Sequence, residues 1–169
     1  MRHRIVAALA LIAASSLHAQ TPATAPAPAL APAPVTPPAI PDLSTAVPIS
    51  GNWSYAATVD GSEAVFLNPG AQPQVVIHCA RALRRVTISK TATGAAPFLS
   101  IWTSTQTRNL PASFNPATGR VSADLSASDS LLDAIAFSRG RFGVRISGQP
   151  SLVVPAWAEP ARVIEDCRS

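Results

Sequence analysis

Lysine and tyrosine each occur once in these 169 residues, cysteine only twice and histidine three times. Each scarcity excludes something. A metal site needs three or four ligands, and beyond carboxylates the folded part has only His78, Cys79 and Cys167 to offer. His78 and Cys79 are adjacent, so in a strand they point to opposite faces and ligate poorly together. No Gly-x-Ser-x-Gly elbow is present to pair a nucleophile with His78. Thr87-Ile88-Ser89-Lys90 has Thr where a Ser-x-x-Lys nucleophile belongs, and Lys90 to Gly94 matches a Lys-Thr-Gly element only loosely. There is no glycine-rich loop to cradle a phosphate. No cofactor and no metal are therefore expected. No apolar run exceeds about a dozen residues, short of the ~20 that cross a bilayer.

The chain opens with the features of an export signal. Met1-Arg2-His3-Arg4 is cationic, Ile5 to Ala14 is apolar, and Ser15 to Ala19 is mostly small. We read residues 1–19 as a secretory signal peptide cut after Ala19, with a retained anchor as the alternative. Its removal leaves eleven basic residues against nine acidic ones, a net charge of +2, so no nucleic-acid partner is expected. Residues 20–48 carry nine prolines, one charge and no aromatic. Such a segment buries too little apolar surface to offset its ordering entropy and reads as a disordered Pro/Ala linker. In extended polyproline form it reaches about 90 Å. It is either a spacer or a low-complexity tail without a specific role.

Residues 49–169 suffice for one domain around one core. Trp53 to Val59, Ala64 to Leu67, Val75 to Cys79, Arg85 to Ser89, Phe98 to Thr105, Arg120 to Leu125, Phe142 to Ile146 and Leu152 to Val154 read as strands. Asp60-Gly61, Asn68-Pro69-Gly70 and Asn115 to Gly119 read as turns. A helix is predicted over Ser126 to Ser138, capped by Ser126 or Ser128, with Asp129 in its first turn and Gly140 at its exit. A second runs from Trp157 to Cys167, with Trp157, Ala161, Ile164 and Cys167 on one face. The order implies a mainly β fold: an antiparallel β-sandwich with one internal short helix and a C-terminal helix tethered by a disulfide. Cys79 and Cys167 are expected to form that bond, a reactive thiol pair and a metal site being the competing readings.

The arginines are the most informative polar feature. Arg139, Arg141 and Arg145 form one group, the latter two sharing the face opposite Phe142, Val144 and Ile146. Arg81, Arg84 and Arg85 form another, just after Cys79. Both groups are candidates for recognising carboxylate or phosphate on a partner; otherwise they coat an exposed sheet face. The carboxylate pairs Asp129/Asp133 and Glu165/Asp166 read as solvated helix faces rather than acid–base dyads.

The ending SRGRFGVRISGQPSLVVPAWAEPARVIEDCR, with Trp53 and the strand cysteine Cys79 before it, resembles a family of small exported bacterial proteins of unknown function. More remotely the layout is similar to VasI-like periplasmic accessory proteins of type VI secretion, which pair an early Trp, a strand cysteine and a cysteine in the terminal helix. The resemblance implies a periplasmic or secreted, non-enzymatic accessory or protein-interaction domain, partnered by an envelope protein or cell-envelope component, and carries no site residues across. Two other readings stay open: an envelope-ligand module that binds an anionic glycan or lipid through the arginines, and a small hydrolase. If export and pairing are read correctly, the unreduced protein shows no titratable thiol. Two reactive thiols in an Ellman assay overturn both.

Overall fold

A computed structural model describes residues 42–169; the signal peptide and all but the last residues of the linker read above lie outside the described residues. Among the described residues ten strands form two antiparallel sheets. Sheet A has six, in the order β1 (Asn52–Ala57), β2 (Gly61–Leu67), β3 (Pro73–Ala80), β4 (Arg85–Thr91), β8 (Arg120–Ser126) and β7 (Ser113–Asn115). Sheet B has four, in the order β10 (Leu152–Pro155), β9 (Arg141–Ile146), β5 (Phe98–Trp102) and β6 (Thr107–Pro111). The expected mainly β sandwich, with one short internal helix and a tethered terminal one, is the observed fold.

Alternation sets the inner face of sheet A in three rows. Register aligns Ser62, Cys79, Val86 and Leu125 in the first, and Ala64, Ile77, Ile88 and Ala123 in the second. Phe66, Val75, Lys90 and Val121 make the third. All twelve are buried. Leu99, Ile101, Phe142, Val144 and Ile146 face them from sheet B. Trp53 joins the two sheets: its ring meets Phe66 edge-on and stacks against Phe142, and its Nε1 donates to the Pro155 carbonyl at 2.8 Å. An indole N–H in a core needs such an acceptor, because leaving it unpaired costs about 1–3 kcal/mol.

Several local expectations shift. The strand read as Phe98 to Thr105 stops at Trp102, because Thr103 turns the chain with its hydroxyl and amide both bonded to Gln106. The chain then returns as β6, which the sequence pattern missed. The internal helix α1 is shorter, Ser130–Ala136, and Asp129 is its N-cap, accepting from the Leu131 amide at 2.8 Å. Asp129 displaces the serines as cap because Arg108 on β6 clamps both its oxygens, at 2.5 and 3.2 Å. Partial burial works to raise the Asp129 pKa, but this clamp, the Leu131 amide and the Arg108 charge hold it below the ordinary value. Gly140 is not the helix cap, a role Phe137 takes; it sits at φ +73° in the turn into β9.

The terminal helix α2 (Ala158–Asp166) buries Pro160, Val163 and Ile164, whereas Trp157 remains largely exposed, so the apolar face is rotated from the one expected. A nine-residue helix has little stability alone. The Cys79–Cys167 disulfide, with Cα atoms 5.5 Å apart, holds its end. Polar contacts reinforce that anchor. Tyr55 and Ser62 donate to the same Asp166 oxygen at 2.7 and 2.8 Å, and Arg162 stacks 3.9 Å above the Tyr55 ring. Arg168 bridges Asp133 at 2.8 Å and Glu165 at 3.3 Å, which raises its own pKa. Asp129 and Asp166 are therefore structural partners, whereas Asp133 and Glu165 stay on solvated helix faces, as read, with Arg168 bridging them.

The Tyr55 hydroxyl, aided by Ser62 and by the charges of Arg162 and Arg81, outweighs the opposing effect of burial and holds the Asp166 carboxyl below its ordinary 3.8. A depressed carboxylate pKa contributes stability that is fully present above the unfolded value and is lost as pH falls through the folded one. Asp166→Asn is expected to cost about 1–3 kcal/mol near neutral pH. It is also expected to flatten the decline of Tm below about pH 4, where wild type loses this contribution. Thermal unfolding from about pH 6 to pH 2 checks both.

Candidate functional site

The two arginine groups lie in different places. Arg81 donates through Nε to the Asp166 carbonyl at 3.2 Å, and Arg85 pairs with Asp124 at 3.3 Å. Arg84 ends the single 3₁₀ turn Arg81–Leu83 in a left-handed conformation, φ 48°. With Asp124 among them, Arg84 and Arg85 border only a separate hollow on sheet A. Arg81 is thus committed to holding α2, and Arg85 to the β4–β8 pair.

Arg139 and Arg141 border a hollow of about 450 Å³ with Asp42, Leu43, Ser44, Trp102, Thr103 and Ser104. Alternation along β9 explains the position of Arg141: Phe142, Val144 and Ile146 face the core, so Arg141 and Arg145 fall on the outer side, as their spacing implied. Arg145 lies opposite Ser100 in the β5–β9 register and does not border the hollow. Among the described residues neither Arg139 nor Arg141 has a carboxylate within ion-pair distance.

Two features that sequence reasoning missed shape this hollow. The first is Trp102, on the outer face opposite Gly143. Its indole lies flat over that glycine: a Cβ on Gly143 would come within 1.9 Å of the ring. Trp102 is only 3% exposed, and its Nε1 has no hydrogen-bond partner. The second is the segment 42–48, counted with the linker above. Asp42 organises a turn there, accepting from the Ser44 amide at 2.8 Å through its side chain and from the Ala46 amide at 2.8 Å through its carbonyl. That side-chain bond holds the exposed Asp42 carboxyl below its ordinary pKa. Arg141 donates to the Ala46 carbonyl, and the Ser138 hydroxyl donates to the Arg141 carbonyl. Ile49 continues the attachment by donating to Val153 on β10 at 2.8 Å.

The hollow thus combines two guanidinium groups, one carboxylate, three hydroxyl side chains and part of an indole. That set suits an anionic group carrying further polar atoms: the guanidiniums provide charge and forked donors, and the hydroxyls donate or accept. His78 lies elsewhere, its Nε2 3.1 Å from Asp60 Oδ1, with Thr58 donating to the same carboxylate. Among the described residues no serine hydroxyl hydrogen-bonds to His78, and no group of three His, Cys, Asp or Glu is placed to hold a metal ion. No helix among them is long and apolar enough to cross a membrane.

Gly143→Ala is expected to destabilise the domain by about 1–3 kcal/mol, since the ring must move off its seat. It is also expected to increase the accessibility of Trp102. Acrylamide quenching of tryptophan fluorescence, read beside Tm, checks this. The chain matches no protein-family model, no curated protein and no solved structure.

Proposed function

We propose that this is a non-enzymatic accessory or protein-interaction domain, exported to the periplasm or beyond, that engages an envelope partner through an anionic group seated between Arg139 and Arg141. The observation that carries the reading is the convergence of these two guanidinium groups, neither with a carboxylate within ion-pair distance, around one hollow. The Cys79–Cys167 bond fits an oxidising compartment, and the cationic, apolar and small-residue start of the chain supports export. The resemblance to small exported bacterial proteins, and more remotely to VasI-like accessory proteins, supports the same assignment through Trp53, Cys79 and the cysteine of the terminal helix.

A second reading is favoured by the hydroxyls and Asp42 around the arginines. They equip the hollow for a hydroxyl-rich anionic glycan, with the guanidiniums on its charged group. An anionic lipid headgroup is the other envelope ligand of that class. The small-hydrolase reading gains no support from the pairing of His78 with Asp60.

Envelope extracts passed over the immobilised mature domain separate these readings. The Arg139→Ala variant is expected to lose at least tenfold in binding with Tm nearly unchanged, whereas Arg141→Ala, which also releases the Ala46 carbonyl, is expected to lose binding with a lowered Tm. Retention of a protease-sensitive species supports the interaction domain, and retention of a protease-resistant glycan or lipid supports the second reading. Equal retention by wild type and both variants overturns the site.

A further inference from the structure

Lys90 is the one charged residue in the inward rows of sheet A. Its register neighbours are Val75 on β3 and Val121 on β8, both fully buried, and Ile88 precedes it on the same face. Alternation calls for an apolar side chain there. An inward charge can protect an edge strand from pairing, but β4 lies inside the sheet, between β3 and β8. The lysine is 4% exposed. Its Nζ reaches only two neutral oxygens, the Thr91 carbonyl and Gln149 Oε1, both at 3.4 Å. No carboxylate lies within 4.0 Å of it among the described residues. Burial lowers its pKa, the direction expected of a partly desolvated ammonium without a counter-charge.

A cavity of about 280 Å³ opens beside it, sharing no residue with the arginine hollow. Gln149 is held there in a fixed orientation, its Oε1 accepting from Lys90 while its Nε2 donates to Thr93 at 3.2 Å. Ala92, Pro150 and Leu152 supply apolar wall. At about 30 Å³ per water the space equals roughly nine water molecules, room for a branched acid of four or five carbons.

We infer that this cavity is a second binding site, taking the terminal carboxylate of a small apolar acid or of a peptide, with the carboxylate on Lys90 and its apolar group against Pro150 and Leu152. The ligand supplies the anion that the fold omits. Pairing relieves the penalty of an ammonium buried without a counter-charge, and that gain must offset the cost of desolvating the ligand's carboxylate.

Because Lys90 is the only lysine, protein labelled with ¹³C-lysine gives one Cε resonance from the chain. Titration with sodium 3-methylbutanoate at constant ionic strength is expected to shift that resonance saturably and to raise Tm by about 5 °C at tenfold excess over Kd. The neutral 3-methylbutanamide is expected to do neither. Lys90→Met keeps length and packing, and is expected to fold with a Tm at or above wild type and to lose the acid-dependent rise. Should that variant fail to fold, the wild-type resonance and Lys90→Gln carry the test. N-acetyl-alanyl-leucine binding more tightly than the free acid identifies a peptide C-terminus as the source; equal or weaker binding identifies the free acid. A resonance unmoved at about 50 mM acid, a Tm rise retained without Lys90, or the same response to inorganic phosphate overturns the proposal.

Discussion

The bond between Cys79 and Cys167 is the constraint on which the rest of the structure depends. It spans a sequence separation of 88, nearly the length of the folded chain beyond Cys79, and in the chain-entropy model such a closure is worth roughly 4–5 kcal/mol. Register explains its reach. Ser62 pairs with Cys79 across β2 and β3, so the residue beside Cys167, Asp166, is delivered to the Ser62 hydroxyl and to Tyr55. One covalent link therefore places a carboxylate between two donors and seats α2 against sheet A. Glu165 and Asp166 stand at the helix C-terminus, where the dipole disfavours negative charge. The hydroxyls and Arg168 offset that penalty, which is why the polar anchor and the disulfide belong together.

The two candidate sites follow from different departures from the sandwich pattern. On the outer face of sheet B, Gly143 lacks the side chain that would stand beside Arg141 and Arg145, and the Trp102 indole occupies the gap. The 42–49 segment is attached to sheet B through Ala46, which accepts from Arg141, and Ile49, which donates to Val153. Asp42, Leu43 and Ser44 of that segment and Trp102, Arg139 and Arg141 border the hollow together. On the inner face of sheet A the departure is the reverse, a charge where a methyl-bearing side chain would pack. One site is assembled by filling a missing side chain, the other by retaining a polar one.

Legibility divided along the same lines. The pairing of the cysteines, the outward face of Arg141 and Arg145, and most strands were readable because alternation and cysteine scarcity are local or countable properties. The turn at Thr103 was not, since Phe98 to Thr105 alternates well enough to pass for one strand, and only hydroxyl and amide bonds to Gln106 end it. Asp129 was passed over as cap because Arg108, which clamps it, is 21 residues away in sequence. The hollow was half legible: its arginines stood out, whereas Trp102 and Gly143 mean little until β5 and β9 are neighbours.

By itself, then, the sequence determined the class of fold, the inner and outer faces of its strands and the one covalent closure, because residue spacing and composition encode those directly. Tertiary structure alone decided which arginines are spent on α2 and which remain available, that the tail of the proline-rich segment borders the same hollow as Trp102, and that Lys90 has no counter-charge. Each of these depends on which distant residue a side chain meets, and sheet register, not local pattern, sets that meeting.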